Sequence, residues 1–203
     1  MAITPDFEKA KEYALNRLKK ELSPNLTYHS LMHTKAEAVP AADQLAILEK
    51  VGEEDHMLLL TAVYFHDLGL IRQRKDHEMV SIQFAEQTLP EFGYSDAQIA
   101  VIRGIILATY LPQSPTNLLE RIMADADLDY LGHEDYWKRS IDFRQELDHY
   151  GTKFTDEEWY IYQLNFMQPH KYFTDSERVL REPVKQQHIT EIRRLLDQVN
   201  RVK

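Results

Sequence analysis

The chain has 203 residues, with 24 Lys and Arg against 33 Asp and Glu for a formal charge of −9, 43% hydrophobic and 28% charged residues, and no cysteine. That composition belongs to a packed globular chain and excludes wholesale disorder. The missing thiols exclude a disulfide framework and a thiolate zinc site, and the negative charge argues against a protein that coats nucleic acid. The longest apolar run, Met57 to Phe65, falls short of the about 20 residues a bilayer helix needs. The opening MAITPDFEKAKEYAL lacks the basic start and apolar centre of a signal peptide. We expect one soluble, cytoplasmic domain spanning 1–203, with no membrane partner and with homo-oligomer formation left open.

With only 6 Gly and 8 Pro the chain has few breaks, and its hydrophobic spacing is helical almost throughout. Thr4-Pro5 reads as an N-cap and first helical position, and Ser23-Pro24 as the end of that helix. LLLTAVYFH is apolar on every side, as a fully buried central helix requires. Ser95 with Gln98 forms a capping-box pattern, and Thr155 with Glu158 and Thr174 with Glu177 repeat it. Ile189, Ile192, Leu195, Leu196 and Val199 make an amphipathic stripe near the C-terminus. No segment alternates with period two for long enough to be a strand. The expected class is all-α.

Candidate chemistry falls at four places. His29 and His33 are four apart, on one face if the segment is helical. His66-Asp67 ends the most apolar segment, with Gly69 two residues on, and a carboxylate there is costly unless a cation or several donors satisfy it. An imidazole beside a carboxylate suits a divalent ion. IMADADLDYLG offers Asp125, Asp127 and Asp129. Helical spacing sets Asp127 in line with Met123 and Leu131, an inward stripe, and sets Asp125 with Arg121 and Asp129, a polar one. Asp127 is therefore the preferred buried ligand. After the doublet, Arg72, Arg74 and Lys75 offer guanidinium or ammonium groups to a phosphate, with Arg72 the candidate substrate contact. His77 opens the next helix and is a second candidate contact. His170 lies in the loop-like QPHKYFT and reads as surface. The 11 Tyr and 8 Phe read as core, so no base-stacking platform is invoked.

Taken singly, each of these has a bland explanation; the order His33, His66-Asp67, Asp127, each at a helical position, does not. That order resembles the HD-domain superfamily of metal-dependent phosphohydrolases, over roughly residues 28 to 132. YHSLMHT looks like the YHNxxH motif of cyclic-nucleotide phosphodiesterases, with Ser30 in place of Asn, and Ala126-Asp127-Leu128 looks like their ADL triplet. ILATYLPQSP, DADLDYLG and FMQPHKYFT look like a bacterial branch of HD phosphohydrolases. Leu68-Gly69-Leu70 stands where alarmone hydrolases carry Glu-Asp. Ile106 to Thr109 lacks a histidine that some dinuclear relatives place there, whereas His77 matches a position where such relatives carry one.

The resemblance implies an HD-type helical bundle with additional C-terminal helices. It implies one or two divalent ions (Mn, Fe, Co, Ni, Zn or Mg) on His33, His66, Asp67 and Asp127. Asp67 would also orient the water, and His29 would match the histidine that protonates the leaving oxygen. The expected reaction is hydrolysis of a phosphoester or phosphodiester of a nucleotide or related small molecule by metal-activated water. Alternatives are a nucleoside-monophosphate phosphatase or nucleoside-triphosphate hydrolase on the same site, a non-catalytic nucleotide-binding module, and, ranked last, a di-iron oxygenase.

Overall fold

In the computed structural model, which describes residues 4–201, the first helix, α1 (Phe7–Glu21), is capped by Asp6 rather than by the expected Thr4. Asp6 Oδ1 accepts from the Lys9 N–H at 3.1 Å, while the Asp6 N–H is held by the Phe92 carbonyl at 2.8 Å. The chain is thus tied down just before the helix, and a carboxylate meets the positive end of the helix dipole. The helix ends at Leu22, beside the expected Ser23-Pro24.

A π-helical stretch (His33–Ala38) runs without a break into α2 (Val39–Leu48). Then come α3 (Glu53–Phe65), α4 (His77–Thr88), α5 (Asp96–Leu107), α6 (Leu118–Asp127), α7 (Tyr136–His149), α8 (Asp156–Met167) and α9 (Asp175–Arg201). No strand occurs among the described residues, so the class is all-α, as the spacing predicts. The apolar α3 is central and packs against α1, α2, α5 and α6. Leu59, Ala62, Val63 and Phe65 have no exposed surface; truncating Leu59 or Phe65 to Ala would cost about 2–5 kcal/mol in lost contacts and residual cavity.

Both halves of the capping box form at Ser95–Gln98 and at Thr155–Glu158. At Thr174 only one half does: its Oγ1 accepts from the Glu177 N–H, but its own N–H donates to Asp125 instead.

The apolar side chains fall into two clusters. One is built from α1 to α6 and ends at Ala126; the other begins at Leu128 and joins Leu131 to Tyr136, Leu164, Met167, Ile189 and Ile192 of α7, α8 and α9. Asp127 therefore sits on the seam between them. Ile189 and Ile192 of the C-terminal stripe are buried, and Leu195, Leu196 and Val199 half-buried. Among the described residues no helix is long and apolar enough to cross a membrane.

Candidate metal centre

His66 closes α3 and Asp67 opens a 3₁₀ turn, Leu68–Ile71. Ser81 of α4 pins this corner: its hydroxyl donates to the His66 carbonyl and accepts from the Gly69 N–H. Gly69 is required by close approach, because a Cβ there would lie 1.9 Å from the His77 carbonyl oxygen. The first turn of α4 thus packs directly on the backbone after the doublet. That contact brings His77 Nε2 to 3.2 Å from Asp67 Oδ1.

The structure brings His33, His66, Asp67 and Asp127 together. Ligand atoms of His33, His66 and Asp127 all lie within 4.8 Å of one another. Asp127 Oδ1 stands 3.1 Å from His33 Nε2 and 3.4 Å from His66 Nε2. Asp67 Oδ2 is 3.3 Å from His66 Nε2 and 3.9 Å from His33 Nε2. The two oxygens of Asp67 therefore face different ways, Oδ2 to the cluster and Oδ1 to His77. Outer partners fix the rings. His66 Nδ1 donates to the Val63 carbonyl at 2.7 Å, and His33 Nδ1 to Glu37 at 3.2 Å, so both Nε2 atoms point inward. Arg139 holds Glu37 at 3.0 Å and the Tyr28 carbonyl at 2.8 Å.

His66 Nε2 and Asp67 Oδ2 are buried without a hydrogen-bond partner. Unpaired nitrogen and carboxylate ligand atoms aimed at one point are what a divalent cation would satisfy, so this donor set fits a metal ion. The electrostatics agree. Burial alone would strip the proton from His33, yet its bonds to Asp127 and Glu37 raise it to about 9. His66 is likewise raised, against burial, chiefly by Asp67, and His77 by its bond to Asp67. Asp67 and Asp127 are held well below the usual carboxylate range by these imidazoles, although burial opposes it. The buried carboxylates demand positive charge at this point.

His29 is not on a helical face with His33. Residues 27–30 are bends, and regular helix begins after them. The reason lies in α7: buried Glu146 accepts from the N–H groups of Tyr28 and His29, each at 3.0 Å, and its other oxygen takes His29 Nδ1 at 2.7 Å. This carboxyl is held below its ordinary value by His29, although burial pushes the other way. His29 borders the same cavity as the cluster.

Asp125 departs from the expected polar stripe. It has no exposed surface and accepts from the Phe173 and Thr174 N–H groups at 2.8 Å and from Thr174 Oγ1 at 2.7 Å. It ties the start of α9 to α6 and takes no part in the cluster. Burial raises its pKa to about 6, with those bonds opposing. Arg72 also lies elsewhere: its guanidinium sits 4.3 Å over the Phe84 ring, and Arg74 is the arginine that borders the cavity. Loop residue His170 is half-buried against Lys185, with burial lowering its pKa to about 4.

The cavity has a volume of about 380 Å³. It is lined by His66, Asp67 and Asp127 of the cluster with His29 and His77, and on its other sides by Tyr130, Phe143, Trp159, Tyr162 and Phe166 from the C-terminal half. Several aromatic residues read as core are thus cavity wall. The C-terminal helices complete the site. Glu146, Glu37 and Arg139 carry no local motif that marks them.

No protein-family model matches the chain, and no curated protein does. Among solved structures, a predicted HD superfamily hydrolase from an uncultured Thermotogales bacterium superposes with a TM-score of 0.64. The match covers 96% of this chain and 93% of that one at 17% identity. The likeness is one of fold: this chain has the all-α fold of an HD-type hydrolase.

Proposed function

We propose, from that fold and this cluster, that the chain is a divalent-metal phosphohydrolase acting on the ester of one phosphoryl group in a nucleotide or related small molecule. The observation that carries the reading is the convergence of His33, His66, Asp67 and Asp127, the last three bordering a cavity, with ligand atoms of His66 and Asp67 unpaired. A divalent cation held there would lower the pKa of a water and polarise the phosphoryl group.

The remaining roles belong to the chain. Asp67, fixed between the cluster and His77, orients the attacking water through its carboxylate. His29 supplies a proton to the leaving oxygen from Nε2, since its Nδ1 is committed to Glu146. Arg74 serves the phosphoryl oxygens. It is the one arginine bordering the cavity among the described residues, packed over the Tyr150 ring at 4.0 Å. Asp76 and Glu78 border the same space, so a triphosphate would meet more negative than positive charge.

Steady-state hydrolysis of paired mono- and triphosphates of the same alcohol, with divalent metals added one at a time, tests this. Higher kcat/KM on the monophosphate is expected. Preference for the triphosphate, or no phosphate release from either with any metal, overturns it.

A further inference from the structure

One stripe of α7 carries Arg139, Asp142, Phe143 and Glu146, spaced i, i+3, i+4 and i+7 along a single side of the helix. Each of the four grips the segment that holds the first two histidines. Thr27 Oγ1 donates to the Asp142 carbonyl at 2.6 Å, and the Phe143 ring lies 5.2 Å from that of Tyr28. Glu146 takes the backbone and ring of His29. Arg139, two turns away, reaches toward His33.

Arg139 is only 4% exposed. Its Nη1 donates to Asp142 at 3.0 Å, while Nη2 donates both to the Tyr28 carbonyl at 2.8 Å and to Glu37 Oε2 at 3.0 Å. His33 Nδ1 donates to that same Glu37 oxygen at 3.2 Å. Two donors therefore meet on one carboxylate oxygen. The Glu37 side chain is 24% exposed, and Arg139 is the cation that holds it inward instead of letting it turn to solvent. By charge alone a buried guanidinium this close to a cation site would repel the cation. Its presence helps metal binding only through the carboxylate it fixes.

We propose that Arg139 is a positioning residue of the metal centre: through Glu37 it fixes the His33 ring with Nε2 turned to the cluster, so that α7, which supplies none of the four ligands, sets how tightly they bind. The inference rests on the metal centre of the preceding reading and adds the residue that orients it. A histidine held this way offers its lone pair without first reorienting, and the loss of such an outer partner lowers metal affinity.

Metal affinity, read without turnover, tests this. Mn, Fe, Co, Ni, Zn and Mg are titrated singly into chelator-stripped protein in competition with a fluorescent chelator, and the tightest binder is carried through the variants. Arg139→Met should weaken binding by about 10- to 100-fold, the range for a lost partner of a metal-bound histidine. A guanidinium acting by charge alone would give tighter binding on removal. In a Glu37→Leu background Arg139 has nothing left to hold against His33, so the same substitution should leave affinity within about twofold or tighten it. A residue that only props up the fold would weaken binding equally in both backgrounds. Should Arg139→Met melt too low to titrate, Arg139→Lys takes its place. Its ammonium keeps the charge but ends one bond short of Nη2, and binding should still weaken. Unchanged or tighter binding in the Arg139 variant, or an equal loss in both backgrounds, overturns the proposal. His33→Ala separates it from the metal reading. If no metal binds, or binding survives His33→Ala unchanged, the metal centre is refuted and the proposal falls with it. If His33→Ala weakens binding and the Arg139 variant does not, only the proposal falls.

Discussion

Replacing Glu146 by Gln acts first on the proton-transfer role of His29 and, more weakly, on Arg74, whose guanidinium stands 3.8 Å from the same carboxylate oxygen. The carboxylate has no exposed surface and takes three donors: two backbone N–H groups on one oxygen and His29 Nδ1 on the other. Glutamine keeps the shape but has one acceptor oxygen. With that oxygen on the two backbone donors, its NH₂ faces His29 and the ring must accept at Nδ1. A neutral ring that then gave up its Nε2 proton would be left with none on either nitrogen. In the wild type the donating ring keeps Nδ1–H against the carboxylate. One charge-assisted bond becomes neutral, a stability loss of about 1 kcal/mol, whereas turnover loses proton transfer, about 10²-fold or more. The loss should appear with esters of poor leaving groups such as alkyl phosphates and shrink with 4-nitrophenyl phosphate, which departs without a proton. Metal content should stay near wild type, since Glu146 touches none of the four clustered residues. The sign of the pH effect follows. A carboxyl held below its ordinary value of 4.5 contributes stability above that pH and loses it as pH falls through the folded value. Glu146→Gln should therefore flatten the acid limb of the melting curve. Equal losses for good and poor leaving groups, or loss of metal, would refute the reasoning and place Glu146 and His29 in positioning or binding.

Other substitutions sort the remaining residues. His66→Ala and Asp67→Ala should each abolish metal retention and hydrolysis, which elemental analysis and phosphate release would check; full metal occupancy in either places the site elsewhere. Asp127→Asn should lose metal, while Asp125→Asn should keep it and instead lower stability by about 1–3 kcal/mol through the weakened α6–α9 tie, read by denaturant melts; the opposite pattern reverses the assignment. Gly69→Ala must push α4 off the doublet, so stability should fall by about 1–3 kcal/mol, with metal affinity falling alongside it, because the displaced Cβ contact is the His77 carbonyl.

The sequence was most legible where chemistry is local. His66-Asp67 stood out because a charged pair closes an apolar helix, and the buried helix, the capping boxes and the all-α class follow from spacing a few residues wide. Periodicity failed where a distant segment supplies the environment. Asp125 looked outward beside Arg121, but the chain at Phe173–Thr174 returns to cover it, 48 and 49 residues on. Four-residue spacing puts His29 on a helix with His33, whereas its bonds to Glu146, 117 residues away, hold it outside one. The nearness of Arg72 to the doublet points to a phosphate contact, yet Phe84 of α4 offers its ring. The aromatic wall was invisible for the same reason: nothing in a Tyr or Trp tells core from cavity.

The central claim is that His33, His66, Asp67 and Asp127 hold a divalent cation on which phosphoester hydrolysis depends. Its most direct test is phosphate release from an aryl phosphate by chelator-stripped protein as one divalent metal at a time is returned, in wild type beside Asp127→Asn. The account predicts no release from the stripped wild type, recovery with at least one of Mn, Fe, Co, Ni, Zn or Mg, and no recovery in Asp127→Asn at the same metal concentrations. Release that survives chelation, or that Asp127→Asn recovers in full, would contradict it.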